Sequence, residues 1–208
     1  MSTSLHDAIS RRQSVRRFSD TPLTSAQRDA LIDAAALAPS PHGRQPWMFV
    51  EIGQGTPRHR LCEAMSSTWR TQLTLDGSDI QTINKRITAS TERILKAPLL
   101  MMPCVDMHVL DVYPDAQRQH AEYIMAVQSL GCAIEHMLLT AVALGFDGGW
   151  MCAPLFCPDV VRGVFALPDS VIPQALLPFG YMAQAPQRRP KRSARELLYV
   201  IPADNHST

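Results

Sequence analysis

Apolar residues along this chain follow two periods, and the switches between them outline a sheet accompanied by helices. Leu5, Ala8 and Ile9 share one face of a short helical segment over 4–11, with Ser4 placed to cap it. Leu23 precedes Thr24-Ser25-Ala26-Gln27, a capping box with an apolar staple ahead of it. Ala30, Leu31, Ala34, Ala35 and Ala38 then continue one helical face until Pro39-Ser40-Pro41 stops it. Residues 47–52, Trp-Met-Phe-Val-Glu-Ile, read as a strand, and so do 99–102 and 174–181. Between the first two, 57–96 is helical and polar, broken at Asp76-Gly77. Residues 106–115 read as a loop, the glycine-rich 146–151 flanks a strand, and Pro158-Asp159 opens a short helix to 166. The last apolar run, 197–201, predicts a terminal strand. Strands and helices are intermixed without repeat or linker, which predicts an α+β or mixed α/β arrangement in one domain over 1–208.

The stretch 121–144 is apolar enough to raise the question of a membrane span. Glu122, Gln128, Glu135, His136 and Thr140 interrupt it, so no run of about 18 apolar residues survives. It predicts instead a long helix buried on most of its circumference, with Gly131, Ala133 and Ala143 permitting close packing. Composition agrees: 46% hydrophobic and 19% charged residues are ordinary for a globular chain. The N-terminus lacks the basic and apolar regions of a signal peptide. Five scattered cysteines without a C-x-x-C pair suggest reduced thiols, and the expectation is a cytoplasmic protein.

Charge changes the picture more than composition does. The formal net charge is +1, which argues against a nucleic-acid binder, yet nine of the 20 Lys and Arg sit in two short windows. One holds Arg11, Arg12, Arg16 and Arg17; the other holds Arg188, Arg189, Lys191, Arg192 and Arg195. As a solvated face following a helix, the first window needs no ligand. However, Arg12, Ser14 and Arg16 alternate in an extended segment while Val15 points to a core, a cradle suited to a phosphate and its polyol. His42, Arg44 and Gln45 crowd a proline-stiffened loop between helix and strand, a common place for binding. Gly148-Gly149-Trp150-Met151-Cys152-Ala153-Pro154 is neither a dinucleotide fingerprint nor a P-loop. Its paired glycines either admit a flat ligand or make a tight turn before a core strand. No H-E-x-x-H or G-x-S-x-G is present, Asp106, His108 and Asp111 lack further metal ligands, and Cys152 and Cys157 have no base nearby and read as buried thiols. An anion cradle without reactive side chains points to chemistry carried by a cofactor.

Arg-Arg-x-Ser-Val-Arg-x-Phe, Ala-Pro-Ser-Pro-x-x-x-Gln-Pro-Trp, the long helix ending in Gly-Phe-Asp-Gly-Gly-Trp, and Gly-Tyr before a basic tail together resemble the FMN-dependent nitroreductase superfamily. A narrower likeness is carried by Met65, Trp69-Arg70, Asp76-Gly77, Asp106-x-His108, Tyr113-Pro114-Asp115, Arg118 and Phe156-Cys157-Pro158-Asp159-Val160-Val161-Arg162. These resemble the FMN-binding C-terminal domain of the actinobacterial deazaflavin-coenzyme glutamyl ligase, whose ligase part has no counterpart here. The resemblance implies an α+β fold with a central mixed sheet covered by helices, in an intertwined homodimer. It implies that Arg12, Ser14, Arg16, Arg189 and Lys191 hold the phosphate and ribityl chain of FMN. His42, Gly43, Arg44 and Gln45 would lie at the pyrimidine edge from the other subunit, and Trp150, Met151, Cys152, Ala153 and Pro154 would face the ring. Gly43 stands where many nitroreductases carry asparagine. Trp69, Arg70, Tyr113 and Asp115 would contact substrate, with no metal and no catalytic side chain. The implied activity is hydride transfer through bound flavin to a deazaflavin precursor. The alternatives are an NAD(P)H-dependent nitroaromatic or quinone reductase, a non-catalytic flavin-binding module, and oxygen-dependent destruction of the flavin.

Overall fold

A computed structural model describes residues 3–188 and 190–201. Helix α1 (Leu5–Arg11) is capped by Ser4, whose hydroxyl accepts the Asp7 N–H at 3.1 Å. Helix α2 (Ser25–Ala36) opens on the anticipated capping box, Gln27 N–H to Thr24 Oγ1 at 3.2 Å and Thr24 N–H to Gln27 Oε1 at 3.0 Å. Strand β1 (Trp47–Glu51) leads into a helical hairpin, α3 (Thr56–Leu75) and α4 (Ile80–Leu95). The hairpin turns at Gly77, φ +74°, and Asp79 caps α4 by accepting the Thr82 N–H. Strand β2 (Leu99–Asp106), helix α5 (Ala116–Ala143), β3 (Asp147–Gly148), α6 (Pro158–Phe165), β4 (Val171–Pro173), β5 (Leu177–Gly180) and α7 (Ala194–Leu197) complete the order.

The sheet runs β1-β2-β5-β3, with β4 also on β2. All four pairings are antiparallel, where a mixed sheet was expected. For β1 and β2 the cause is the hairpin. One helix between neighbouring strands returns the chain parallel, whereas α3 and α4 together reverse it once more. β2 is buried along nearly its whole length and alternates between two cores. Leu99, Met101 and Val105 face α2 and α5, while Leu100, Met102 and Cys104 face α3 and α6. It runs past the anticipated 99–102 because Pro103 lies where the second neighbour changes from β5 to β4, the place a missing N–H costs least.

By length and composition α5 could cross a membrane, yet it packs on α2 and the sheet, and Ala126, Leu130, Ala133, Ile134, Met137 and Ala141 lie in the core. It starts five residues earlier than its apolar pattern suggested, because Asp115 accepts the Arg118 N–H at 2.9 Å and caps it. The terminal strand expected over 197–201 does not form. α7 takes Leu197, and residues 198–201 are exposed and unpaired with the sheet. Strand β4 was not anticipated; three residues are too few for a period-two pattern to register.

The head of the chain is bound to the sheet and to the tail. Val15 is fully buried and donates its N–H to Gly148 O at 3.1 Å. Phe18 bridges Met182, Ser19 N–H reaches Tyr181 O at 2.8 Å, and Ala183 N–H reaches Arg17 O at 3.0 Å. Arg188 then donates to Ser10 O at 3.2 Å and Arg11 O at 3.3 Å. The glycine pair makes this possible. A Cβ on Gly149 would stand 2.5 Å from Val15 O, and one on Gly148 would stand 2.6 Å from the Phe179 ring. These glycines therefore admit the chain's own backbone and core, a close approach that neither sequence reading, flat ligand or tight turn, specifies.

Arg58, 2% exposed, clips the helical hairpin shut: its guanidinium donates to Ile52 O at 3.0 Å, Ile94 O at 3.2 Å and Ala97 O at 2.5 Å. Arg58→Met strips three buried carbonyls of a charged donor and is expected to cost about 3 kcal/mol or more, measured by urea unfolding. Gly149→Ala is expected to cost about 1–3 kcal/mol by overpacking. Gly163→Ala, where a Cβ meets nothing within 4 Å inside a helix, gains up to about 1 kcal/mol in the same assay.

Candidate functional site

A cleft of about 780 Å³ opens between the α3–α4 hairpin, the segment 150–157 and Arg16. Its volume falls within the ~300–1,000 Å³ of typical cofactor and small-ligand sites. One wall is apolar: Cys62, Met65 and Trp69 of α3, with Met151 and Phe156 opposite. The other is basic. Thr82, Lys85, Arg86, Ala89 and Arg93 recur at helical spacing along α4 and turn toward the opening. Met151 is fixed by paired hydrogen bonds with Leu176, N–H to O at 3.0 Å and O to N–H at 2.8 Å. Cys152 and Ala153 then open a 3-10 turn whose first N–H groups have no acceptor within the turn.

The electrostatics of the cleft are one-sided. Among the described residues no carboxylate pairs with Arg16, Lys85, Arg86 or Arg93. Burial, and then the charges of Arg16 and Arg17, hold the Arg93 guanidinium below its usual range. Cations gathered without counter-charge at a concave, partly apolar surface are arranged for an anionic ligand. The buried thiols are poor nucleophiles: burial pushes Cys62 up to about 11 and Cys104 up to about 12, and raises Cys157. Cys152, anticipated as a buried thiol, is exposed at the cleft instead, because it sits at the start of the 3-10 turn rather than under it.

The sequence profile of the Nitroreductase family matches residues 9–181. This chain belongs to the nitroreductase family. It is an oxidoreductase of that family. A protein of Methanothermobacter thermautotrophicus, provisionally named an NADH dehydrogenase/NAD(P)H nitroreductase, is 25% identical over 187 residues, 88% of this chain and 80% of its own. Among solved structures, a BluB-like flavoprotein from Clostridium difficile superposes with a TM-score of 0.79 at 23% identity, over 96% of this chain and 99% of that one. A provisionally named nitroreductase from Desulfovibrio desulfuricans, crystallised with FMN, gives 0.70 at 22%, over 98% and 99%. These likenesses establish the nitroreductase fold, α+β with a central sheet covered by helices.

Within this nitroreductase the anticipated residues divide. Arg16, Trp69, Trp150, Met151, Cys152 and Ala153 line the cleft. Pro154 is buried behind it. Arg12 and Ser14 do not line it; Arg12 pairs with Glu135 of α5 at 3.2 Å. Arg189 lies outside the described residues, and Lys191 is exposed on the tail. His42, Gly43, Arg44 and Gln45 form a turn away from the cleft of their own chain. Arg44 pairs with Asp111 at 2.6 Å, and the Gln45 amide donates to Ala36 O at 2.8 Å. Arg70 turns outward to Asn84 at 2.9 Å, Tyr113 stacks under Arg118 at 5.3 Å, and Asp115 caps α5. The Arg118 hydrogen bonds, backbone first, hold the Asp115 carboxyl below the usual carboxylate range. None of these last three lines the cleft.

Lys85, Arg86 and Arg93 escaped the sequence reading. Their spacing along α4 looks like an ordinary solvated face, and only the helical hairpin turns it inward. The i, i+4, i+7, i+11 recurrence of Thr82, Arg86, Ala89 and Arg93 was the available signal.

Proposed function

We propose that this nitroreductase binds FMN in the cleft and oxidises NAD(P)H, passing the electrons to a flat, anionic acceptor. The single observation that carries the reading is the set of guanidiniums left without counter-charge, Arg16 and Arg93, beside the 150–153 backbone in one cleft. The residues present fit the group. Arg16 and Arg93 would neutralise negative charge on the flavin's pyrimidine side, as electrophilic neighbours do wherever charge develops. Backbone N–H groups at Cys152 and Ala153 would donate along the ring edge. Met65, Trp69 and Met151 would exclude water from one ring face. Arg12, on leaving its pairing with Glu135, would hold the phosphate together with Ser14 and Lys191, the Arg188 bonds to Ser10 and Arg11 keeping the tail beside the head. Bound FMN supplies the two-electron chemistry, so the chain needs no nucleophile of its own.

Lys85 and Arg86 at the outer rim favour an acceptor or donor that ends in negative charge. That rim and Trp69 are what support the deazaflavin reading. Arg70, Tyr113 and Asp115, the other residues tied to it, lie off the cleft, and the broader NAD(P)H-fed activity is the better supported of the two.

We infer also that two chains assemble. Leu197, Leu198, Tyr199, Val200 and Ile201 are 66–88% exposed, and Leu5 and Ile9 are uncovered on α1. Apolar surface of that extent fits a second copy of this chain, which would bring its 42–45 turn to the cleft.

The visible spectrum of purified protein is expected to show flavin, with NAD(P)H consumption that depends on an added quinone or nitroaromatic. A colourless protein that refuses added FMN overturns the reading; bound flavin with no turnover above free FMN reduces it to a binding module. Loss of flavin absorbance in air would instead indicate destruction of the flavin. Arg16→Ala and Arg93→Ala are each expected to weaken FMN roughly ten- to hundredfold, measured by fluorescence on release.

A further inference from the structure

We propose that His42, Asp111 and Glu122 form a site for a first-row divalent cation that fastens the 41–45 turn to the first half of α5. Each contributes one potential ligand atom, an imidazole nitrogen or a carboxylate oxygen, and these three atoms lie within 4.8 Å of one another. The deciding member is Glu122. It is fully buried on α5, and neither carboxylate oxygen has a hydrogen-bond partner among the described residues. A carboxylate removed from water costs several kcal/mol unless it is paired, hydrogen-bonded or bound to a metal. An ion shared with the two other ligand atoms, within 4.8 Å, would answer that cost.

The chemistry of the donor set is mixed, one nitrogen and two oxygens. Imidazole suits zinc, copper and iron, carboxylates also suit manganese, and neither is soft enough to demand a monovalent ion. Bonds of about 2.0–2.2 Å place tetrahedral ligand atoms about 3.3–3.6 Å apart. The three atoms, within 4.8 Å of one another, would draw closer on binding such an ion. Arg44 holds Asp111 through Oδ1 at 2.6 Å, leaving its second oxygen for the ion and fixing the carboxylate plane. His42 is exposed, so the site has an entry path and an outer position for water, while Glu122 forms its floor. The ligands are 69 and 11 residues apart in sequence, which is why no spacing motif announced them.

The consequence falls on the turn. His42, Gly43 and Gln45 have φ of +51°, +66° and +50°, an arrangement that only Gly43 adopts freely. An ion bonded to His42 holds that turn against α5, the same turn that the proposed second copy would bring to its partner's cleft, so the test reads metal binding and not flavin.

The test is zinc binding to the full chain after dialysis against a chelator, measured by equilibrium dialysis with the metal counted by elemental analysis, alongside thermal melting. The expected result is one zinc per chain and a rise in melting temperature on adding zinc. Glu122→Gln and His42→Ala should each weaken zinc at least tenfold and abolish that rise. In chelator, Glu122→Gln should melt no lower than the parent, since it removes a buried charge. Failure of the parent to hold zinc overturns the proposal. Equal affinity in both variants also overturns it, by placing the ion on other groups such as the exposed Cys132 and Cys152.

Discussion

The contact of Gly149 with the carbonyl of Val15 is the constraint on which the rest of this nitroreductase depends. No side chain can stand between them, so the head of the chain lies directly on the end of β3. That seating buries Val15, turns Arg16 into the cleft, and brings residues 17–19 alongside 181–183. The Arg188 guanidinium then reaches back to Ser10 and Arg11, so the two basic windows meet across almost the whole length of the sequence. Close backbone approach, rather than attraction between charges, gathers like charges that would otherwise repel.

The second determinant is the helical hairpin. Two helices between β1 and β2 make those neighbours antiparallel and raise a wall over one face of the sheet. Arg58 fixes both feet of that wall by donating to the end of β1 and the end of α4. A guanidinium suits the task because its several donors lie in one plane and satisfy carbonyls that no hydrocarbon side chain could. The wall carries the cations that give the cleft its sign.

Local signals in the sequence translated well. The Thr24–Gln27 box, the break at Gly77, the cap at Ser4 and the strand at Trp47 all operate within a few residues, and each forms as read. What local signals do not reach depends on distant context. The apolar run 197–201 has strand composition but meets no sheet edge. Tyr113 and Asp115 are spent on α5, one under Arg118 and one as its cap, and do not reach the cleft. The alternation of Arg12, Ser14 and Arg16 was real in that Val15 points inward, yet Glu135 of α5 draws Arg12 aside. Conversely, Arg86 and Arg93 reach the cleft only through the fold of the hairpin, and Glu122 meets His42 only through a turn 80 residues earlier.

The hairpin has a core of its own. Leu73, Ile83 and Ile87 pack with Trp69 as a cluster separate from the two that sandwich β2. Exchanges among the polar positions of that wall therefore leave the foundations of the fold untouched. Descendants of this chain can drift in what they accept at the rim while inheriting the same platform beneath it, with Trp69, shared by wall and cluster, as the position where such drift meets resistance.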